Sequence, residues 1–114
     1  LSNIMENLIE VFYNKTLYQT HIVEDKNNVI GIIKADCYEE FVLIHPKIYV
    51  VNKKSLRKYK KSFKQFIKNL NLNLYYDHVY ADTNKYNVVK FLTDKKAVCL
   101  GKGVEGMLYK HKIL

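Results

Sequence analysis

Apolar and polar positions along the chain change period several times, and each change marks an expected element. Ile4, Leu8, Val11 and Phe12 recur at helical spacing behind Ser2 or Asn3 as a cap, so Ile4 to Phe12 reads as a short amphipathic helix. From Leu17 to Val23 the composition turns β-like. The polar stretch EDKNN, Glu24 to Asn28, then supplies turn residues before the apolar run VIGIIKA, Val29 to Ala35, which together predict a hairpin. A third strand, Phe41 to Val51, contains Pro46, which has no N–H for a ladder, so a bulge or splay is expected near His45 and Pro46.

The period returns to helical in NKKSLRKYKKSFKQFIKNL, Asn52 to Leu70. Leu56, Tyr59, Phe63, Phe66, Ile67 and Leu70 fall within an arc of roughly 100° on a helical wheel. LYYDHVYAD, Leu74 to Asp82, predicts a fourth strand, and TNKYNVVKFL, Thr83 to Leu92, a shorter helix capped by Thr83 or Asn84. AVCLG and GMLYKHKI predict two last strands around a Gly-rich turn, Gly101 to Gly106. The order α-β-β-β-α-β-α-β-β predicts a single α+β domain over 1–114: one mixed, mostly antiparallel sheet with helices on its faces.

Composition adds one strong asymmetry. The chain has 19 Lys+Arg against 11 Asp+Glu, a formal charge of +8. Lys53, Lys54, Arg57, Lys58, Lys60, Lys61, Lys64 and Lys68 all lie in the basic helix, which has no acid, so the remaining chain is balanced. Cations in a first helical turn oppose the macrodipole unless an anion offsets them. The helix therefore points to an acidic partner, either a phosphate-bearing ligand at Lys53, Lys54 and Arg57 or a polyanion such as nucleic acid along Lys60, Lys61, Lys64 and Lys68.

Other chemistry is sparse. Cys37 and Cys99 sit in apolar contexts without a neighbouring thiol, so both are expected as buried free cysteines. His21, His45, His78 and His111 are scattered, and no metal-ligand spacing occurs. If Leu74 to Asp82 alternates, His78, Tyr80 and Asp82 share a strand face, where His78 becomes a candidate base. No apolar run approaches the ~20 residues of a membrane span, and no signal-peptide core is present at the start, so a cytoplasmic setting is expected.

The ordered set of patterns resembles the GNAT superfamily, the acyl-coenzyme A N-acyltransferase fold. HIVEDKNNVIGIIKA, with Gly31, is similar to that family's second and third strands. FVLIHPKIYVV running into the basic helix is similar to its fourth strand and third helix, and HVYADTNKYNVVKFLTDKKAVCLGKG to its fifth strand, A-x-x-x-N turn, fourth helix and sixth strand. The short GNAT-like proteins of tailed phages, including an internal virion protein family of T7-like phages, resemble the chain further, which implies a host-cytoplasm or virion setting.

The resemblance implies an acetyl-coenzyme A site around Val51, Lys53, Lys54, Arg57 and Asn84, with the backbone at Val50 and Val51 polarising the thioester. Two departures count against catalysis. The family's glycine-bearing pyrophosphate loop is replaced by VVNKKSLRK, whose bulky residues are expected to turn at a steric cost. Its general-acid tyrosine is replaced by Phe91 or Leu92, leaving Tyr86 as the nearest alternative donor. The expected function is thus a divergent GNAT-fold protein that binds an acidic virion component, host protein or nucleic acid. The alternative is a working N-acyltransferase that moves an acetyl group from acetyl-coenzyme A to an amine.

Overall fold

The computed structural model describes residues 17–94 and 96–113, so the expected helix at Ile4 to Phe12 lies outside the described residues. Six strands form one sheet in the order β1-β2-β3-β4-β6-β5. They are β1 (Leu17–Asp25), β2 (Asn28–Cys37), β3 (Val42–Ile48), β4 (His78–Thr83), β5 (Val98–Lys102) and β6 (Met107–Lys112). Two helices, α1 (Lys53–Leu74) and α2 (Tyr86–Thr93), connect β3 to β4 and β4 to β5. All neighbouring pairs are antiparallel except β3 and β4, which are parallel and joined through α1. From β1 onward the mixed sheet and its element order are those expected from the sequence.

The β1–β2 hairpin turns on Lys26 and Asn27, both in the left-handed region with φ of 50° and 68°. Two consecutive positive-φ residues match the right-handed twist of the flanking strands. Pairing of β2 with β3 runs without a break from Cys37↔Val42 to Gly31↔Ile48, with Pro46 opposite Ile33. Pro46 therefore makes no bulge against β2. The sheet instead parts on the other side of β3, where the register pairs only Leu43 with Tyr80. Three residues further on, Pro46 has no N–H to extend that ladder, while β4 ends at Thr83.

The apolar stripe of α1 buries Tyr59, Phe63, Ile67 and Leu70 against Val23, Ile33, Ala35, Ile44 and Val79 on one sheet face. Leu92 of α2 joins the same cluster. Burial at this scale, about 25 cal/mol per Å² of apolar surface removed from water, is the main favourable term holding helix to sheet. The helix runs four residues beyond Leu70 because Leu74 continues the stripe. It stops at Tyr75, which takes φ 63° and donates its N–H to the Asn71 carbonyl. The Asn71 side chain then donates to the Tyr76 carbonyl at 2.8 Å, and β4 begins only at His78 rather than at Leu74. On the opposite face Tyr38, Phe41, Leu43 and Leu108 form a smaller cluster, with Tyr38 stacked on Phe41 at 4.6 Å between ring centroids.

Cys37 is buried as expected, but Cys99 is exposed. The reason is its place on β5, the outer strand of the sheet, which has a neighbour on one side only.

Gly31 fixes how closely α1 approaches the sheet. A Cβ there would meet the Lys47 carbonyl oxygen at 2.5 Å and the Tyr59 ring at 2.6 Å. The same ring reaches over β2 to donate its hydroxyl to the Ile32 carbonyl at 2.7 Å, and burial pushes the Tyr59 phenol well above its ordinary range. Gly31→Ala is expected to destabilise the fold by about 1 to 3 kcal/mol through overpacking. Urea unfolding is the check, and a variant as stable as the native chain would show that the ring does not rest on Gly31.

Candidate functional site

Where β3 and β4 separate, the space between them becomes a cleft. Its larger part, of about 660 Å³, is lined by Pro46, Ile48, Tyr49 and Val51 from the β3 side, Leu56 from α1, and Lys85, Asn87, Val88 and Phe91 around α2. A second part, of about 260 Å³, shares Pro46, Lys47, Lys85 and Val88 with the first and adds His45, Asp82, Asn84 and Glu105. The first part is mainly apolar. The second gathers an imidazole, two carboxylates and an amide.

The N-terminus of α1 lies at the apolar end. Asn52 caps it in an extended conformation, φ −136°, and its side chain accepts the Ser55 N–H at 2.9 Å. The first helical backbone bond runs from the Leu56 N–H to the Asn52 carbonyl, so the N–H groups of Lys53 and Lys54 precede the ladder. No acid stands in the first turn, and Lys53, Lys54 and Arg57 are exposed. Such an end carries a positive partial charge reinforced by three cations, a combination that attracts phosphate.

The expected steric cost of the glycine-free loop is not present. The positive-φ residues other than glycine among those described are Lys26, Asn27, Tyr75 and Asp94, so the 50–56 turn needs no left-handed residue. The turn is instead closed by the Asn52 side chain, which accepts the Ser55 N–H. The expectation for Val50 is also revised, because its N–H is bonded to the Ile30 carbonyl at 3.2 Å and faces β2. Val51 lies in the cleft.

Asn84 is exposed in the polar part of the cleft. It is not the cap of α2. The cap position is Lys85, whose N–H bonds to Thr83 Oγ1 at 3.0 Å. Phe91 lines the apolar part, with the Lys60 ammonium 5.0 Å from its ring centroid, whereas Leu92 points into the core. The residue that faces the cleft at this level of α2 therefore has no proton to give. The side chain of Tyr86 lies outside the described residues.

His78 stands at the opposite end of β4 from the cleft, paired with Lys112. Asp82, expected beside it as a potential carboxylate partner, is committed elsewhere. Its carboxylate accepts the N–H groups of Val104 at 2.6 Å, Glu105 at 3.2 Å and Gly106 at 2.9 Å, and so holds the β5–β6 turn.

Two cleft residues were missed by sequence reasoning. His45 lines the polar part, and its Nε2 lies 3.0 Å from Asp36 Oδ2 across the β2–β3 pair. Tyr49 places a phenol in the apolar part beside Val51 and Phe91. The signal for His45 was the hairpin register, which sets Asp36 opposite Leu43 and Lys34 opposite His45, a diagonal that brings the two side chains together on one face.

The four expected polyanion residues divide. Lys60 and Lys64 converge on Asp94, the latter at 2.9 Å, and tie α1 to the end of α2. Lys61 and Lys68 are exposed. Among the described residues no group of three His, Cys, Asp or Glu side chains is placed to hold a metal, and no helix is long and apolar enough to cross a membrane.

Comparison with solved structures places this architecture. The fold is similar to that of an aminoglycoside 6'-acetyltransferase type Ii, with a TM-score of 0.66 and 13% identity over 96% of this chain and 76% of that one. It is similar as well to the aminoglycoside 6'-N-acetyltransferase from Enterococcus faecium, with a TM-score of 0.61 and 12% identity over 96% of this chain and 81% of that one. No family model matches the sequence, and no curated protein matches it significantly. At this identity the likeness is one of fold: the chain shares its six-stranded mixed sheet and helices with these two acetyltransferases.

Two expectations follow. Lysine hydrogen bonds, first from Lys60 and then from Lys64, hold the Asp94 carboxyl at about 2, below its ordinary 3.8. A depressed carboxyl adds stability above its ordinary value and loses it on protonation. The stability gap between the native chain and Asp94→Asn should therefore close as the pH falls from about 4 through about 2. A gap that stays constant across that window would show that the lysine pairs are not formed in solution. Asp82→Ala should accelerate hydrogen exchange at Val104, Glu105 and Gly106 and cost about 1 to 3 kcal/mol. Unchanged exchange there would return Asp82 to the list of candidate reactive groups.

Proposed function

We propose that the chain is an N-acyltransferase that draws its acyl group from a coenzyme A thioester and delivers it to an amine. The observation that carries this reading is the cleft between the parted strands, whose larger, apolar part ends at an acid-free, lysine-flanked helix N-terminus. The residues fit the cofactor. A phosphate-bearing head meets the N–H groups of Lys53 and Lys54 with Lys53, Lys54 and Arg57 around it, and a long, weakly polar arm meets Val51, Leu56, Val88 and Phe91. Bound there, an acyl-coenzyme A supplies an activated acyl group and a thiolate as leaving group. The solved neighbours, named as acetyltransferases, support an acetyl group as the acyl group.

The chain's own residues divide the remaining work. His45, oriented by Asp36, removes the proton that an ammonium acceptor must lose before it attacks. Asn84 and Glu105, at the polar mouth, orient a cationic acceptor. With Phe91 in the cleft, Tyr49 is the phenol that gives a proton to the departing sulfur, and its phenolate takes back the proton that the acylated nitrogen sheds. Val51 keeps its place beside the reacting carbonyl, without Val50. The phage and virion setting has no counterpart in these neighbours and plays no part in the proposal.

One observation favours binding without turnover, namely Phe91 at the place where the resemblance leads one to expect a tyrosine donor. A single experiment separates the readings. Calorimetric titration with coenzyme A should give one site, weakened about tenfold or more (~1.4 kcal/mol) by joint replacement of Lys53 and Lys54 with alanine. Thiol release from acetyl-coenzyme A with a panel of polyamine and aminoglycoside acceptors should exceed background, and His45→Gln should lower kcat/KM by ~10² to 10⁴. Binding without thiol release selects the non-catalytic reading, and absence of binding removes both.

A further inference from the structure

A second cavity, of about 510 Å³, lies beside the C-terminal half of α1, where Ile67 stands about three helical turns, roughly 16 Å, along the helix from Leu56 in the cleft. Ile67, Leu92 and Ile113 give it apolar walls. Lys64, Lys68 and Lys96 line it from α1 and the segment after α2, whereas Lys112 borders it from β6 with its side chain directed to the other sheet face. The lone carboxylate in the lining, Asp94, is already shared between Lys60 and Lys64. Lys68 and Lys96 are left without an opposing charge within the lining.

His111 completes the wall. It is 8% exposed, and its Nδ1 is a buried polar atom with no hydrogen-bond partner among the described residues. Leaving such an atom unpaired is unfavourable, and native structures rarely do so without a ligand or a water to satisfy it. A half-turn of the ring about its Cβ–Cγ bond exchanges nitrogen and carbon positions at the wall, so either ring nitrogen can be presented to an occupant. Burial, then Lys96 and His78, push the imidazole below its ordinary pKa, while Asp94 opposes them. The other charges on its side of the sheet in this lining are Lys64 and Lys68 from α1.

We propose that this cavity is a binding site for a small organic phosphate, with the phosphate between Lys68 and Lys96 and accepting a hydrogen bond from His111, and the apolar portion against Ile67, Leu92 and Ile113. A phosphate dianion matches the two unopposed cations better than a monoanion does. It also makes the imidazolium form of His111 favourable, so binding takes up a proton. The site shares no lining residue with the acyl-transfer cleft, and the proposal stands whether or not acyl transfer occurs.

The test uses the full chain with labelled histidine, read by NMR at constant ionic strength, with phenyl phosphate as probe and benzoate as the monoanionic control. The proposal expects a saturable shift of the His111 ring signals, titration of that ring at higher pH in the bound state, and affinity for benzoate about tenfold or more weaker. Lys96→Gln, an exposed substitution that spares the core, should weaken phenyl phosphate about tenfold; His111→Gln should abolish proton uptake if it folds. A His111 signal that does not respond, equal affinity for benzoate, or full affinity in Lys96→Gln would each overturn it.

Discussion

Everything functional in this molecule depends on one constraint: β3 and β4 run parallel, yet pair at a single level, Leu43 with Tyr80. In this parallel pair α1 leaves from the carboxyl end of β3 and returns to the amino end of β4, and the carboxyl ends of the two strands diverge. Pro46 has no donor to offer β4, and β4 stops at the level where Pro46 stands. The backbone that would have closed a ladder lines a cleft instead. The two strands stay rigid because each is paired on its far side, β3 to β2 and β4 to β6. The opening is therefore built into the sheet rather than borrowed from a loop.

The basic helix serves that opening in two ways at once. Its stripe from Tyr59 to Leu70 anchors it over β2, and the Tyr59 ring on Gly31 sets the distance of approach. That anchoring delivers the N-terminus, capped by Asn52 and free of acids, to the apolar end of the cleft. The charge that looks uniform in sequence is not uniform in space. Lys53, Lys54 and Arg57 surround the helix end, Lys60 and Lys64 hold Asp94 at the close of α2, and Lys68 lines a cavity with Lys96. The cations of one helix thus stand in three different local settings.

Much of this was legible before any coordinates. The hairpin, the strand bearing Pro46, the buried stripe of α1 and the order of elements follow from periodicity and turn residues, because those signals are local. The end of α1 was not legible, since Leu74 and Tyr75 fit a strand as well as a helix until Asn71 is seen to hold both neighbours. The roles of Asp82 and His45 depend on partners 9 to 24 positions away. The absence of glycine in VVNKKSLRK seemed a defect because the side-chain cap at Asn52 was not considered; that cap closes the turn without a left-handed residue. Of Phe91 and Leu92, which helical spacing alone leaves equivalent, only Phe91 lines the cleft, because Leu92 packs into the core.

The central claim, that the parted strands form a coenzyme A cleft ending at the α1 N-terminus, is tested most directly by mapping backbone amide shifts on addition of acetyl-coenzyme A. The account predicts that the perturbed amides cluster at Tyr49, Val51, Lys53, Lys54, Val88 and Phe91, with Lys61 and its exposed neighbours on α1 unchanged. Perturbations spread along the outer lysines of α1, with Val51 and Val88 silent, would contradict it and make the cofactor one more polyanion on a basic surface.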